Sequence, residues 1–482
     1  MPNFLIQTNR YAQLFAATAA LSCSLGAAAH EDMPRDESAV AAAARAAVFK
    51  ANPQLIQSIM LGGGFGTELS YAIANHMYSR TDAGAIADAR AKLKVEPHDA
   101  RTWLLRFPIV NVAVFETDEG LVLVDSGYAP AGPALLETLK KLSPKPVHTI
   151  IYTHYHADHA FGAWSILEAG MKPQIVAEER FVEQLDADMR SHGVIARNNQ
   201  QRQVPRTWAD AVAPTLTFHK QLTLKIGGED FVLRHARGET EDQIWVSVPG
   251  RKVVLAADYF QNFLPNAGNG KRRQRFPEDW ARALRDMAAL KPDLLLPAHG
   301  PAITRAAEIQ DRLPAQARML ESISNQVVDG LNAGLRRDLV IDRVALPPDL
   351  AQRDDARELY VRARDIGRMV AAQYGGWWDD MPSHWDPAPR AAQARELAGL
   401  AGGARQLIAR ALAVVDQNPA LASNLADWAW LADGTDKAVI QGALDVYAKR
   451  VSHPLPTQEA LVYAEHMTRL QLALTPSPAA AR

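Results

Sequence analysis

Cysteine is nearly absent from this chain of 482 residues: there is one, Cys23. It lies within a segment that reads as an export signal, so removal of that signal leaves a mature chain with none. Disulfides, a cysteine nucleophile and a thiolate metal site are then excluded, and any metal must be held by His, Asp or Glu. Net charge is scarce too. With 52 Lys and Arg against 54 Asp and Glu the formal charge is −2, which excludes a strong bulk attraction to nucleic acid or an anionic membrane. Beyond the leader there is no apolar run of transmembrane length and no low-complexity tract. Glycines do cluster at Gly62-Gly63-Gly64-Phe65-Gly66. Without the Lys-Ser/Thr of a phosphate loop, that cluster reads as a turn and not as a nucleotide site.

The leader itself is well marked. Arg10 is the only charge before His30, an apolar stretch runs from Tyr11 to Leu25, and Ala27-Ala28-Ala29 follows. A charged start, a short apolar stretch and an Ala-x-Ala end are what signal peptidase cuts. Residues 1–29 are therefore expected to be removed, giving a periplasmic or secreted protein that begins at His30. Ala20-Leu21-Ser22 fits a lipobox before Cys23 poorly.

Hydrophobic content of 48% with 22% charged residues allows a large core, and the length suggests two or three domains. Residues 30–100 read as a mainly helical extension. From 101 to 320 strands and helices alternate, the pattern of a layered α/β domain. Expected strands are Val110 to Phe115, Leu121 to Val124, Val147 to Tyr152, Leu222 to Ile226, Phe231 to Arg234, Ile244 to Val248, Lys252 to Ala256 and Leu294 to Leu296. Thr117-Asp118-Glu119-Gly120 is a hairpin signal between the first two. Residues 321–482 read as almost wholly helical.

The chemistry is carried by residues 153–162, Thr-His-Tyr-His-Ala-Asp-His-Ala-Phe-Gly, directly after an apolar strand. His154 and His156 stand two apart, so a turning backbone can aim both the same way. Asp158 and His159 follow at a spacing that serves a second ion nearby. Imidazole with carboxylate suits zinc, with iron and manganese as alternatives. Three histidines and an aspartate in six residues are too dense for ordinary polar-loop residues.

This pattern resembles the HxHxDH signature of the metallo-β-lactamase superfamily, and the resemblance implies an αββα sandwich. It also implies further ligands in chain order. Asp125, in Leu-Val-Leu-Val-Asp-Ser-Gly, matches a strand-end aspartate that supports the ligands from behind. Asp258, in Val-Leu-Ala-Ala-Asp-Tyr-Phe, matches the carboxylate that bridges two metals, and His299, in Leu-Leu-Leu-Pro-Ala-His-Gly, matches the final histidine. Where most of the superfamily has a histidine in Gly-His-Thr, this chain reads Arg237-Gly238-Glu239-Thr240-Glu241-Asp242. Glu239 takes the histidine's place, with His235 and Glu241 as alternatives.

Glutamate at that position is similar to the alkyl sulfatases of the superfamily, which hydrolyse sulfate esters of long alcohols; Glu239, Pro249 and Asp258 fall at matching intervals. Gly376-Trp377-Trp378-Asp379-Asp380-Met381-Pro382 resembles the signature of their dimerisation domain, as do Gly402-Gly403-Ala404 and Trp428 to Leu431. The resemblance covers roughly residues 100–450. It implies two zinc ions per chain, a small amphiphilic substrate, a homodimer, and catalytic roles for Asp158 and Asp258 in orienting a water whose pKa two cations lower from about 15.7 toward 7. It departs from the family in four places. Asp258 stands where glutamate is usual, His299 sits in His-Gly-Pro, and no sterol-carrier-like domain is expected after the helices. The arginine that grips sulfate in the family has no clean match; Lys271, Arg272, Arg273 and Arg275 are the candidates for binding the anion. Hydrolysis of another ester, a lactone or a phosphodiester by the same fold is the alternative function, and a non-catalytic helical scaffold a more distant one.

Overall fold

The computed structural model describes residues 39–62, 76–199, 201 and 203–475. The leader with Cys23 and its cleavage point, and Gly63 to Gly66 of the glycine cluster, lie outside the described residues. The described residues divide into two compact units, one within 56–381 and 455–461, the other of residues 39–55, 382–454 and 462–475.

The larger unit holds two β-sheets. The first has seven strands in sequential order: β1 (Lys94–Asp99), β2 (Thr102–Arg106), β3 (Asn111–Glu116), β4 (Leu121–Val124), β5 (Val147–Ile151), β6 (Gln174–Glu178) and β7 (Leu216–Phe218). β1 to β4 are antiparallel neighbours, and β4 to β7 run parallel with helices as crossovers. The second sheet has five strands: β8 (Gln221–Ile226), β9 (Glu229–His235), β10 (Ile244–Val248), β11 (Val253–Ala257) and β12 (Leu294–Pro297), in the order β12-β11-β10-β9-β8.

Strand alternation decides what lies between the sheets. Along β3 and β4, Ala113, Phe115, Val122 and Val124 point inward to meet Phe231, Leu233, Ile244 and Val246 of the second sheet. Their neighbours Val112, Val114, Leu121 and Leu123 face the other way, onto a cluster with Leu135, Leu139, Phe181 and Leu185 from helices. Successive side chains of a strand point to opposite faces, so a strand buried on both sides reads as a continuous apolar run. Trp245 and Val254 of the second sheet likewise face helices Pro277–Ala289 and Ala306–Asn332 through Trp280, Leu284, Ile309, Leu320 and Ile323. The result is the αββα sandwich that the sequence implies, with helices Arg337–Arg343 and Ala363–Gly375 added to the outer layer.

Four strands, β1, β2, β6 and β7, lie outside the expected set. Lys94–Asp99 is a strand and not helix. It is polar and largely exposed, sits at the sheet edge, and contains Pro97, which an edge tolerates because no ladder bond is lost. Its lack of apolar alternation hid it. The division between the compact units falls at Met381/Pro382. The helices from 306 to 375 spend their apolar faces on the sandwich, and periodicity alone does not say what a face packs against.

The smaller unit is helical, with Ala39–Ala51, Arg390–Leu400, Ala404–Val414, Pro419–Ala432 and Lys437–Arg450, and most of Thr457–Leu474. Among the described residues no helix is long and apolar enough to cross a membrane.

Candidate metal centre

The chemically active side chains all follow strands at one end of the sandwich: Asp125 after β4, His154 to His159 after β5, Glu239 between β9 and β10, Asp258 after β11 and His299 after β12. The carboxyl ends of parallel strands are where α/β sheets collect ligands. Two of these turns need unusual backbone. Asp125 has φ of 64° and Ala257 of 47°, left-handed conformations that cost a non-glycine residue and survive only where surrounding structure enforces them.

The enforcement is visible. Asp125 Oδ1 accepts from the Thr153 amide at 2.8 Å, and its Oδ2 takes the Thr153 hydroxyl at 3.0 Å and His159 Nδ1 at 2.8 Å. The Asp125 and Ser126 amides donate back to Ile151 and His159 carbonyls. His299 Nδ1 lies 2.6 Å from the Ile109 carbonyl. Asn111 holds the same loop through the Pro297 and Gly300 carbonyls at 2.9 and 2.7 Å. Fixing one ring nitrogen of a histidine selects the tautomer and aims the other nitrogen.

What those other nitrogens face is a ring of carboxylates. His159 Nε2 is 3.4 Å from Asp258 Oδ1 and 3.5 Å from Asp158 Oδ2. His299 Nε2 is 3.1 Å from Asp258 Oδ2 and 3.7 Å from Asp158 Oδ2. His154 Nε2 is 3.0 Å from His156 Nδ1, which is 3.7 Å from Glu239 Oε1. Two overlapping sets have donor atoms close enough for one ion, namely His154, His159 and Asp258, and Asp158, His159 and His299. Asp258 touches both.

These residues fit a metal. His159 Nε2, Asp258 Oδ1 and Glu239 Oε2 are buried without any hydrogen-bond partner. Three orphaned buried polar atoms in one place are costly unless something else occupies them. Electrostatics agree. Burial keeps His154 well below the ordinary histidine range, with cationic His159 adding to the effect, and takes His156 to about 3, with Arg275 and Arg272 contributing. Both are therefore neutral, as a ligand must be. Burial works against charge on His299, but Asp258 and Asp158 outweigh it and raise the ring to about 9. Burial likewise opposes the Asp158 anion, and His159 holds it at about 2.

All seven residues proposed as ligands from the sequence stand in this one region. The alternatives to Glu239 are engaged elsewhere: His235 Nε2 meets the Glu241 carbonyl at 2.7 Å, and the Glu241 carboxylate pairs with Arg180 at 2.6 Å. The four basic candidates separate. Arg273 reaches Asp188 at 2.6 Å and Gln184 at 3.1 Å. The Lys271 carbonyl accepts from Asn198. Arg272, half-buried, lies close enough to His156 and Tyr360 for its charge to act on both. Arg275 is fully buried against Glu239, so it does not reach out to a substrate. Sequence reading missed Thr153, Gln243 and Asn266 as supports, because a hydroxyl or amide beside a ligand carries no periodic or spacing signal.

Comparison with known proteins bears on this geometry. Residues 105–299 match the metallo-beta-lactamase superfamily and residues 337–470 the alkyl sulfatase dimerisation family. Residues 105–299 are thus similar to a metallo-beta-lactamase domain and residues 337–470 to an alkyl sulfatase dimerisation domain. A linear primary-alkylsulfatase of Pseudomonas sp. is 29% identical over 368 residues, 70% of this chain and 66% of that protein. An alkyl/aryl-sulfatase of Saccharomyces cerevisiae is 26% identical over 63% of this chain and 52% of that one. The chain thus spans between half and two thirds of these relatives' length. The solved structure of a stereoselective inverting sec-alkylsulfatase from Pseudomonas sp. superposes with a TM-score of 0.71 at 20% identity, covering 92% of this chain and 80% of the other. At that identity the likeness establishes a shared fold.

Proposed function

We propose that this protein is a zinc-dependent hydrolase of sulfate esters of aliphatic alcohols, exported from the cell and working as a homodimer. The observation that carries the reading is Glu239, a glutamate at the metal centre where most of the superfamily has histidine, in a chain whose relatives carry alkylsulfatase names.

Two ions would be held, one by His154, His156 and Glu239, the other by Asp158, His159 and His299, with Asp258 serving both. Bound zinc would supply Lewis acidity and offset the negative charge of the ester oxygens. The chain's own residues do the rest. Asp158, whose side chain at 18% is more exposed than those of Asp258 and Glu239, stays anionic, so it can orient the attacking water. Asp258, almost fully buried, fixes the spacing between the two halves of the site. Arg272 provides a cation beside His156 for the sulfate group, whose charge would otherwise meet a ring of carboxylates. Water then adds across the ester to give the alcohol and hydrogen sulfate.

Export rests on Ala27-Ala28-Ala29 closing the apolar run, and it suits an enzyme whose amphiphilic substrates cross membranes poorly. N-terminal sequencing of the protein from cell extracts is expected to start at His30; retention of Met1 overturns this part. Substrate class is tested by a panel of dodecyl sulfate, bis-nitrophenyl phosphate and a long-chain lactone. The sulfate ester is expected to be cleaved with the highest kcat/KM. Preference for either of the others assigns the site to the alternative chemistry.

A further inference from the structure

Arg275 is one of four basic residues that the sequence offers as anion binders, and the fold gives it a different task. Its side chain is 1% exposed, which is rare for an arginine and requires a partner. One guanidinium nitrogen donates to Glu239 Oε1 at 2.6 Å, and the other donates to the Asn266 carbonyl. Asn266 closes the triangle by donating from Nδ2 to the same Glu239 oxygen at 3.4 Å. The backbone is tied as well. The Glu239 amide donates to Gln243 Oε1 at 2.6 Å, and the Phe276 amide, next in the chain to Arg275, donates to the Gly238 carbonyl at 3.0 Å. Every one of these bonds ends on Oε1 or on the backbone. Glu239 Oε2 is buried with no partner.

The geometry points to Arg275 as the positioning residue of the metal centre. It pins Glu239 by one carboxylate oxygen, so that the other is presented to the ion as a single, fixed donor. A flexible glutamate has three side-chain torsions and two equivalent oxygens, and it could turn away or bind through both. A guanidinium fork with one arm on Glu239 Oε1 and the other on the carbonyl of Asn266, whose side chain bonds the same Glu239 oxygen, removes that freedom. This rests on the reading of Glu239 as a ligand.

The sign of the effect separates positioning from simple electrostatics. A guanidinium near a cation site repels the ion, so charge alone predicts that removing Arg275 tightens metal binding. Positioning predicts that removal weakens it. The test measures zinc affinity by chelator competition, and metal content by elemental analysis after dialysis, for the wild type, Glu239→Gln, Arg275→Met and Arg275→Lys. The cobalt-substituted absorption spectrum is recorded for each, and circular dichroism and thermal melting report folding.

Arg275→Met is expected to lose about 10- to 100-fold in affinity at one ion, as loss of groups behind metal ligands typically does. Its cobalt spectrum is expected to change in the same way as that of Glu239→Gln. Arg275→Lys, which keeps the charge and can reach one oxygen but lacks the fork, is expected to recover part of the loss. Affinity in a folded Arg275→Met that is unchanged or higher overturns the inference while leaving Glu239 a ligand if Glu239→Gln loses metal. Unchanged metal binding in Glu239→Gln overturns both. Should the Met variant fail to fold, the Lys variant decides alone: full wild-type affinity and spectrum contradict a role for the fork.

Discussion

At the scale of residues, the centre is a set of side chains whose protonation must change when metal enters. In the metal-free site His299 carries a proton up to about pH 9, because Asp258 and Asp158 overcome the effect of burial, and the same anions with Asp125 raise His159. A metal binds neutral imidazole, so it has to displace these protons. Below the raised value the proton competes, and above it there is nothing to displace. Zinc affinity is therefore expected to climb with pH below about 9 and to level off above it. Each displaced proton contributes about tenfold per pH unit. Chelator-competition titrations across that range check it, and a flat profile would show that the rings are already neutral. The candidate ligands could be picked out because four of them sit in one short run and Asp258 and His299 close apolar strands, while Glu239 was singled out through the resemblance. The role of Arg275 was not, since a sequence gives a residue's charge but not the partner that uses it up.

At the scale of elements, the site is the product of two loops zipped together. The loop after β4 and the loop after β5 exchange bonds from Ser126 to His159 and from Phe161 and Gly162 to Gly127. They approach so closely at Gly162 that a Cβ there would sit 1.9 Å from the Ser126 carbonyl oxygen. That atom is backbone and cannot swing aside. Gly162→Ala is expected to cost on the order of 1–3 kcal/mol of stability, the range for overpacking a tight core. The displaced turn carries Asp125, so metal content should fall along with the melting temperature. A variant with wild-type melting and full metal content would show the loops to be independent. Strands of this core were readable where both faces are apolar, as in β4 and β10. β1 was lost to its exposed, proline-bearing edge position and β7 to its length of three residues, while β2 and β6, five residues each, were missed although strands as short were read.

At the scale of the whole molecule, the dimerisation domain suggests a second copy. Trp377 is 71% exposed in the larger unit, and Trp385 and Leu400 are 66% and 79% exposed in the smaller. Large apolar side chains left at the surface are the kind that subunit interfaces cover. Not every tryptophan in this region is available for that. Trp430 lies edge-on to His466, with centroids 5.2 Å apart, inside the smaller unit. Light scattering on the purified protein is expected to give twice the mass of one chain at micromolar concentration. A mass near that of a single chain counts against the dimer. The helical nature of this part was plain from its periodicity, but which helices serve the sandwich and which form a unit of their own depends on packing that periodicity does not encode.

The central claim, that this centre hydrolyses sulfate esters through bound metal, is tested most directly by sulfate release from dodecyl sulfate. The assay is run on protein stripped with a chelator and again after zinc is restored. Release is expected to fall to background on stripping and to return with zinc, and to stay at background in Glu239→Gln at the same zinc concentration. Undiminished release from fully stripped protein, or none from reloaded protein that still cleaves a lactone or a phosphodiester, would contradict the account.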